Sequence, residues 1–483
     1  MQSILIRVVL GIVVAGGLVA GVVSCTSQPL SPWHTARLGE DFDDRMLGDE
    51  VRTLADYLSL EDRLFAEMRE EVYARVGTGP EFALVRYSEG SAADPAVFEQ
   101  DYNRTFELAL ENPRGGVLLL HGMSDSPYSL STIGRKLHEE GYQVLGLRLP
   151  GHGTVPSALK HVNWRDMAAA ARLGMQHLAA EIGERPIHVI GYSTGAALAL
   201  DLSVEAVGDT SLPMPASLVL VSPAIGITRA AALAGPTALL GRAPGLSKVG
   251  WSDITPEFDP FKYNSFTFNA GAQVHKLTRS VGDRIANLSR QGEAGKLPPI
   301  LVFKSTVDAT VSTGAVVDRL LMLLPEQRNE FVLFDINREA VKSALLVTDP
   351  GPLTARLITR DDLPFSIRLI ANESPESEEI VEHYKPPFSA DVAVTRPLNV
   401  EWPEGVISLS HVALPFAPDD PLYGRYPPEN RDRLFLGQAE IRGERGLLRI
   451  SSDWLLRLRY NPFYDVLESR ALDWIAEIDA DWQ

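Results

Sequence analysis

Cysteine is almost missing from this chain: Cys25 is the only one in 483 residues, so an internal disulfide is excluded. Basic residues are few beside acidic ones, 45 Lys and Arg against 63 Asp and Glu, a formal net charge of −18. That balance argues against nucleic acid as a partner, because binding there depends on basic side chains that displace counterions. It also discourages wide electrostatic docking on anionic lipid. Metal and phosphate signatures are missing too: the chain has no Cys/His cluster, no H-E-x-x-H or H-x-x-E-H helix, and no phosphate-binding loop followed by Lys. No metal and no cofactor is expected. There is no internal repeat and no low-complexity stretch, and the length exceeds what one core usually holds, which implies one large domain with additions.

The long apolar run is at the N-terminus, from Val8 to Val23 behind Arg7, and it stops at Ser24-Cys25 before Thr26-Ser27-Gln28-Pro29. It is short and Gly-rich for a membrane span and reads as a signal peptide over residues 1–24. Val22-Val23-Ser24-Cys25 resembles the lipobox of bacterial lipoproteins, in which the cysteine is lipid-modified and becomes the first mature residue. Val in place of the commoner Leu, and a single preceding basic residue, depart from that pattern. The expectation is lipidation at Cys25 and a lipid anchor to a membrane of the bacterial cell envelope. A cleaved signal with secretion, and an uncleaved anchor, are the alternatives.

What is present begins with Gly191-Tyr192-Ser193-Thr194-Gly195, set between an apolar β-type run (Ile187, Val189, Ile190) and an Ala/Leu-rich helical run from Ala196 to Leu202. A strand that turns into a helix within two residues strains the serine backbone and brings the elements close, so Gly191 and Gly195 supply the small residues that a nucleophile elbow requires. Similar apolar runs bounded by turn residues recur at Val117–Leu120, Tyr142–Leu147, Leu218–Val221 and Ile300–Phe303, each followed by a helical-period segment. Parallel strands need crossovers, so the class is α/β, with a mostly parallel central sheet and helices on both faces.

A strand ending in His121-Gly122, a serine elbow on a later strand, then Asp and His further on, resemble the α/β-hydrolase fold. More narrowly, His121-Gly122-Met123-Ser124-Asp125-Ser126-Pro127, Leu147-Arg148-Leu149-Pro150-Gly151-His152-Gly153-Thr154 and the elbow are similar to the branch of monoacylglycerol lipases, carboxylesterases and serine aminopeptidases. The likeness is specific over about Gly115 to Val221 and patchier afterwards.

The resemblance implies a catalytic Ser-His-Asp triad. Ser193 is the expected nucleophile, needing a base, an orienter for that base and donors for the oxyanion. The donors would be the backbone N–H groups of Thr194 and Met123. The family places its acid just after the strand that follows the lid, which points to Asp308, with Asp335 as runner-up. It carries its histidine after the next strand, yet Ile336-Asn337-Arg338-Glu339 holds none. Beyond Asp308 only His383 and His411 remain. His411, at the end of the β-like run Val406–Ser410, is the expected base, whereas His383 reads as a surface turn. His152 reads as a structural loop residue.

The domain reading is a tether and N-terminal helical arm over 25–80 and a hydrolase domain over 81–483, with a lid at about 224–297 and an insertion at about 339–400. The arm carries a helical pattern within Glu40–Val76. The lid holds apolar and aromatic positions, among them Leu239, Leu240, Trp251, Phe258, Phe261 and Tyr263, which either cover an acyl chain or pack on the domain. The insertion has alternating segments, Ser343–Val347, Ser366–Ala371 and Glu378–His383, that suit a small antiparallel excursion beside the main sheet. Val466–Ile478 reads as a closing helix. The function expected is a serine hydrolase that cleaves carboxylic esters with an apolar or lipid acyl group through an acyl-enzyme. A peptidase or amidase, or a catalytically silent binding module on the same fold, are the alternatives.

Overall fold

Short apolar runs with turn residues at both ends fold into strands buried on two faces, and this decides the architecture. The structure is a computed structural model that describes residues 30–226, 246–308, 311–326, 328–341, 346, 349–430, 433–437 and 458–482. Cys25 and the signal segment, the lid positions Leu239 and Leu240, and most of Ser343–Val347 lie outside the described residues.

In chain order the main elements are helix α1 (Leu54–Glu71), strand β1 (Phe106–Leu108), β2 (Gly115–Leu120), α2 (Ser131–Glu139), β3 (Tyr142–Leu147), α3 (Trp164–Ile182), β4 (Ile187–Tyr192), α4 (Thr194–Gly208) and β5 (Ser217–Val221). There follow β6 (Trp251–Asp253), β7 (Phe266–Thr267), α5 (Phe268–Gln291), β8 (Ile300–Ser305), α6 (Thr313–Arg319), β9 (Glu330–Phe334), α7 (Gly351–Thr359), β10 (Ser366–Asn372), β11 (Ile380–Lys385), β12 (Val394–Leu398) and α8 (Tyr464–Trp482). Among the described residues, ten of the strands form one sheet in the order β1-β3-β2-β4-β5-β8-β9-β10-β11-β12. Pairing is parallel from β3 through β10 and antiparallel at β1 and at the β10-β11-β12 end.

Every residue of β2, β3, β4, β5, β8 and β9 is buried, and alternate side chains enter two different cores. Leu118 and Leu120, Leu218 and Leu220, Ile300 and Val302 face the core built with α3, α4 and α5. Val117 and Leu119, Val219 and Val221, Leu301 and Phe303 face the opposite core, which α2 and α8 cover. No helix among the described residues is long and apolar enough to cross a membrane.

Three parts differ in detail from what patterning suggests. The helix expected within Glu40–Val76 forms, capped by the reciprocal Thr53–Asp56 box, but it is docked: Leu54, Tyr57 and Leu60 belong to the main core. The second part is the insertion, which extends the main sheet instead of standing beside it. β10 pairs parallel with β9 because an apolar edge was left open there, and only β11 and β12 are antiparallel. His383 is a β11 residue whose Nδ1 meets Thr395 Oγ1 at 2.9 Å across the ladder, not a turn residue. The third part is Val406–Ser410, which is not a strand: the β9 edge is already taken by β10, and the segment is pinned instead by Asn337, which donates to the carbonyls of Ile407 and Val406. Lid aromatics Trp251, Phe258, Phe261 and Tyr263 are all buried against the domain.

Candidate active site

The candidate site lies at the ends of β4 and β8. Ser193 follows β4 directly and takes φ 54°, ψ −110°, a strained conformation for a residue with a side chain. The turn is held from outside the elbow: Ser193 N–H donates to Val221 O at 2.9 Å, and Ser193 O accepts from Ala224 N–H at 3.0 Å. Glycine at 195 is obligatory, since a Cβ there would lie 1.9 Å from the carbonyl oxygen of Leu120. At Gly191 a Cβ would lie 2.5 Å from backbone atoms of Ala196. This close approach of α4 to the end of β2 sets Thr194, the first α4 residue, beside the His121-Gly122-Met123 loop.

That loop is built from buried polar contacts. Leu149 N–H donates to His121 Nε2 at 3.0 Å, so the proton sits on Nδ1, which donates to Gly122 O at 2.9 Å. Burial, then the neighbouring His152, keeps the His121 imidazole far below its ordinary value and therefore neutral. Ser124 adopts φ +67°, and its carbonyl accepts from Tyr263 N–H at 2.8 Å. Lys262 Nζ donates to the buried Asp125 Oδ1 at 2.8 Å, tying the lid region to the loop. Ser193 and Met123 are half-buried. As the first helical residue, Thr194 has an N–H without an intrahelical acceptor. His152 is fully buried, with Nδ1 on Pro150 O, in keeping with a loop residue.

His411 opens the turn His411–Ala413, and its ring packs on that of Tyr192 with centroids 5.4 Å apart. Tyr192 OH donates to His411 O at 3.3 Å, fixing the backbone as well. His411 Nε2 lies 3.1 Å from Ser193 Oγ, and His411 Nδ1 lies 2.8 Å from Asp308 Oδ2. An ionised carboxylate only accepts, so Nδ1 carries the proton and Nε2 is left to accept from the serine. Burial alone would raise the Asp308 carboxyl. His411 and Lys304 outweigh it and hold the group below the usual carboxylate range. Lys304 Nζ reaches the same Oδ2 at 2.6 Å, and Val311 N–H donates to Oδ1 at 3.0 Å.

Ser193, His411 and Asp308 are therefore brought together, with Met123, Thr194, Gly191 and Gly195 around the serine. Asp335 is not in that row; it is buried at the end of β9, bonded by Thr306 Oγ1 and Arg338. Lys304, which closes the apolar run Ile300–Phe303 four residues before Asp308, is a residue of the site that the sequence alone does not identify.

A second Ser-His-Asp row lies at the opposite, N-terminal ends of the central strands β4 and β5. His188 Nδ1 meets Ser217 Oγ at 2.8 Å and Nε2 meets Asp479 Oδ1 at 2.9 Å, while Tyr142 OH bonds the other Asp479 oxygen. Ser217 and His188 are fully buried and have no elbow, so this row fastens α8 to the strands and has no access to a substrate. Asp43, Asp44 and Asp166 also converge, but Asp43 is paired with Arg45 and Asp166 accepts the Asp44 N–H.

Residues 111–335 match the family described as serine aminopeptidase, S33; the match ends before the segment that carries His411. The thermostable monoacylglycerol lipase of Bacillus sp. (strain H-257) is 29% identical over 205 residues, 42% of this chain and 74% of the relative. Among solved structures, the monoacylglycerol lipase of Paleococcus ferrophilus is 21% identical, with 48% of this chain and 89% of that one covered at a TM-score of 0.36. The carboxyl esterase of Bacillus coagulans is 16% identical, with 48% and 84% covered at a TM-score of 0.37. By its sheet and the family model that residues 111–335 match, the chain has an α/β-hydrolase fold and is a hydrolytic enzyme similar to the lipase and esterase branch.

Proposed function

We propose that this enzyme is a serine hydrolase that cleaves carboxylic esters of apolar or lipid acyl groups, with Ser193 as nucleophile, His411 as general base and acid, and Asp308 as the orienting carboxylate. The observation that carries this reading is the hydrogen-bonded row from Ser193 Oγ through His411 to Asp308. Nε2 of His411 removes the hydroxyl proton as Ser193 Oγ attacks the ester carbonyl, and the backbone N–H groups of Met123 and Thr194 receive the developing oxyanion. His411 then returns the proton to the leaving alcohol, and the acyl group stays on Ser193. Water, deprotonated by the same nitrogen, releases the acid and restores the hydroxyl. Asp308 keeps the imidazole tautomer and stabilises its cation.

Support for an ester comes from the relative named a monoacylglycerol lipase. A second reading, a peptidase or amidase, is favoured by the family description serine aminopeptidase. Graded p-nitrophenyl esters against aminoacyl anilides separate the two: the ester reading expects turnover of the esters to exceed that of every anilide, and an anilide preference overturns it. An enzyme preparation that turns over neither class, and that a fluorophosphonate fails to label, points to a silent module.

For location, the proposal is a lipid anchor at Cys25 in the bacterial envelope, resting on the lipobox-like Val22-Val23-Ser24-Cys25. Metabolic labelling with a palmitate analogue is expected to mark the wild type and not Cys25→Ser; equal labelling of both defeats the anchor.

A further inference from the structure

We propose that Lys304 is a positioning residue for this row, holding Asp308 in place and extending the enzyme's working range toward acid; the proposal rests on the catalytic reading given above. Lys304 is the fifth residue of β8, a strand buried along its whole length. Neither its side chain nor that of Asp308 reaches solvent. Nζ meets Asp308 Oδ2 at 2.6 Å, the oxygen that also receives His411 Nδ1–H at 2.8 Å, while Val311 N–H takes Oδ1.

Two consequences follow from one ammonium at that oxygen. The carboxylate is fixed at both oxygens by groups other than the histidine, so its orientation does not depend on His411. The second consequence is electrostatic: a buried cation sharing Oδ2 offsets the field of Asp308 and opposes a second positive charge on the imidazole. The other charges around the row are Asp125, paired with Lys262 on the oxyanion-loop side, Asp335, paired with Arg338 at the end of β9, and Arg459, whose charge acts on Tyr192.

The test is the second-order rate of inactivation by a fluorophosphonate between about pH 5 and 9, on the full chain, for the wild type, Lys304→Met and Lys304→Gln. Expected is an acid limb moved upward by about one to two pH units in both variants, with the high-pH plateau kept within about tenfold of the wild type. A uniform loss of rate with the limb in place is what a merely structural lysine would produce, and it overturns the proposal. If Lys304→Met fails to fold, Lys304→Gln keeps a polar group at the carboxylate and carries the test. Its low-field His411 Nδ1–H proton resonance is then titrated against that of the wild type, and an unmoved midpoint also overturns the proposal. Failure of the underlying reading looks different, since it needs no Lys304 variant: the wild type is unlabelled, or Ser193→Ala is still labelled.

Discussion

His411 Nε2 stands 3.1 Å from Ser193 Oγ across 218 positions of chain, and the contact is made by two turns that other residues hold in place. Ser193 is pinned by Val221 and Ala224, and His411 by Tyr192. Replacing either partner by Ala removes the shared proton transfer without disturbing those anchors. The expected loss is about 10⁴-fold or more in hydrolysis rate for each single variant, with little further loss in the double variant, because members of one catalytic unit are not additive. Steady-state kinetics on a p-nitrophenyl ester checks this, and additive losses would mean that the two residues do not act together.

Asp308 and Lys304 form a fully buried ion pair, so the stability effect of losing one partner differs from losing both. Asp308→Asn is expected to cost about 3–5 kcal/mol, because the ammonium is left unpaired in the interior. Adding Lys304→Met is expected to recover most of that stability while activity stays lost. Urea unfolding of the two single variants and the double variant measures the coupling; a double variant no more stable than Asp308→Asn refutes it.

The elbow sets a steric limit on residue 195. Gly195→Ala drives a methyl group into the Leu120 carbonyl, 1.9 Å away, where neither backbone has room to yield. A loss of roughly 3 kcal/mol or more is expected, along with fluorophosphonate labelling. A normal melting temperature and full labelling would rule the elbow geometry out.

His34 couples the N-terminal segment to the lid region through pH. Its Nδ1 accepts from Ser31 N–H, and its Nε2 meets Ser265 Oγ at 3.0 Å. Burial, then nearby Lys160, lowers its pKa to about 4. A histidine with a lowered folded pKa is neutral in the native state, so its contribution is intact above about pH 6.5 and is lost as pH falls toward 4. The loss amounts to about 3 kcal/mol at most. Comparing urea midpoints of the wild type and His34→Phe across that window should show a flatter curve for the variant; equal slopes would dismiss this role.

Glu61 of α1 pairs with Arg148 at 2.9 Å, and both side chains are buried. Asp41 bonds the same guanidinium, and Tyr57 OH donates to Arg148 O. Glu61→Ala is expected to cost about 3 kcal/mol, because it leaves the buried arginine with only the partly exposed Asp41 as counter-charge. A chain shortened to begin at residue 81 is expected to lose cooperative unfolding, which calorimetry detects; a shortened chain that melts like the full one would show the segment to be dispensable.

The central strands β2, β3, β4, β5 and β8 were legible because each is a short apolar run whose alternate residues both find a core. By contrast, β1 and the exposed β12 carry no such run, and Val406–Ser410, which carries one, finds no free strand edge. Ser193, Gly191 and Gly195 were legible for a local reason, since the steric demands of the elbow act over five residues. The base was harder. The histidine is separated from β9 by three added strands, and the resemblance covers only the usual distance. His411 emerged by combining the family order with the two histidines left beyond Asp308. Lys304 was overlooked because nothing local tells whether a lysine after an apolar run turns inward or outward.

By itself the sequence determined the α/β class, the elbow and the strand pattern, since these depend on backbone sterics and hydrophobic period over a few residues. Only the tertiary structure decided which carboxylate and which imidazole meet the serine, that the insertion widens the main sheet, and that α1 is part of the core. These depend on free strand edges, buried charge partners and contacts between residues distant in the chain, which local chemistry does not specify.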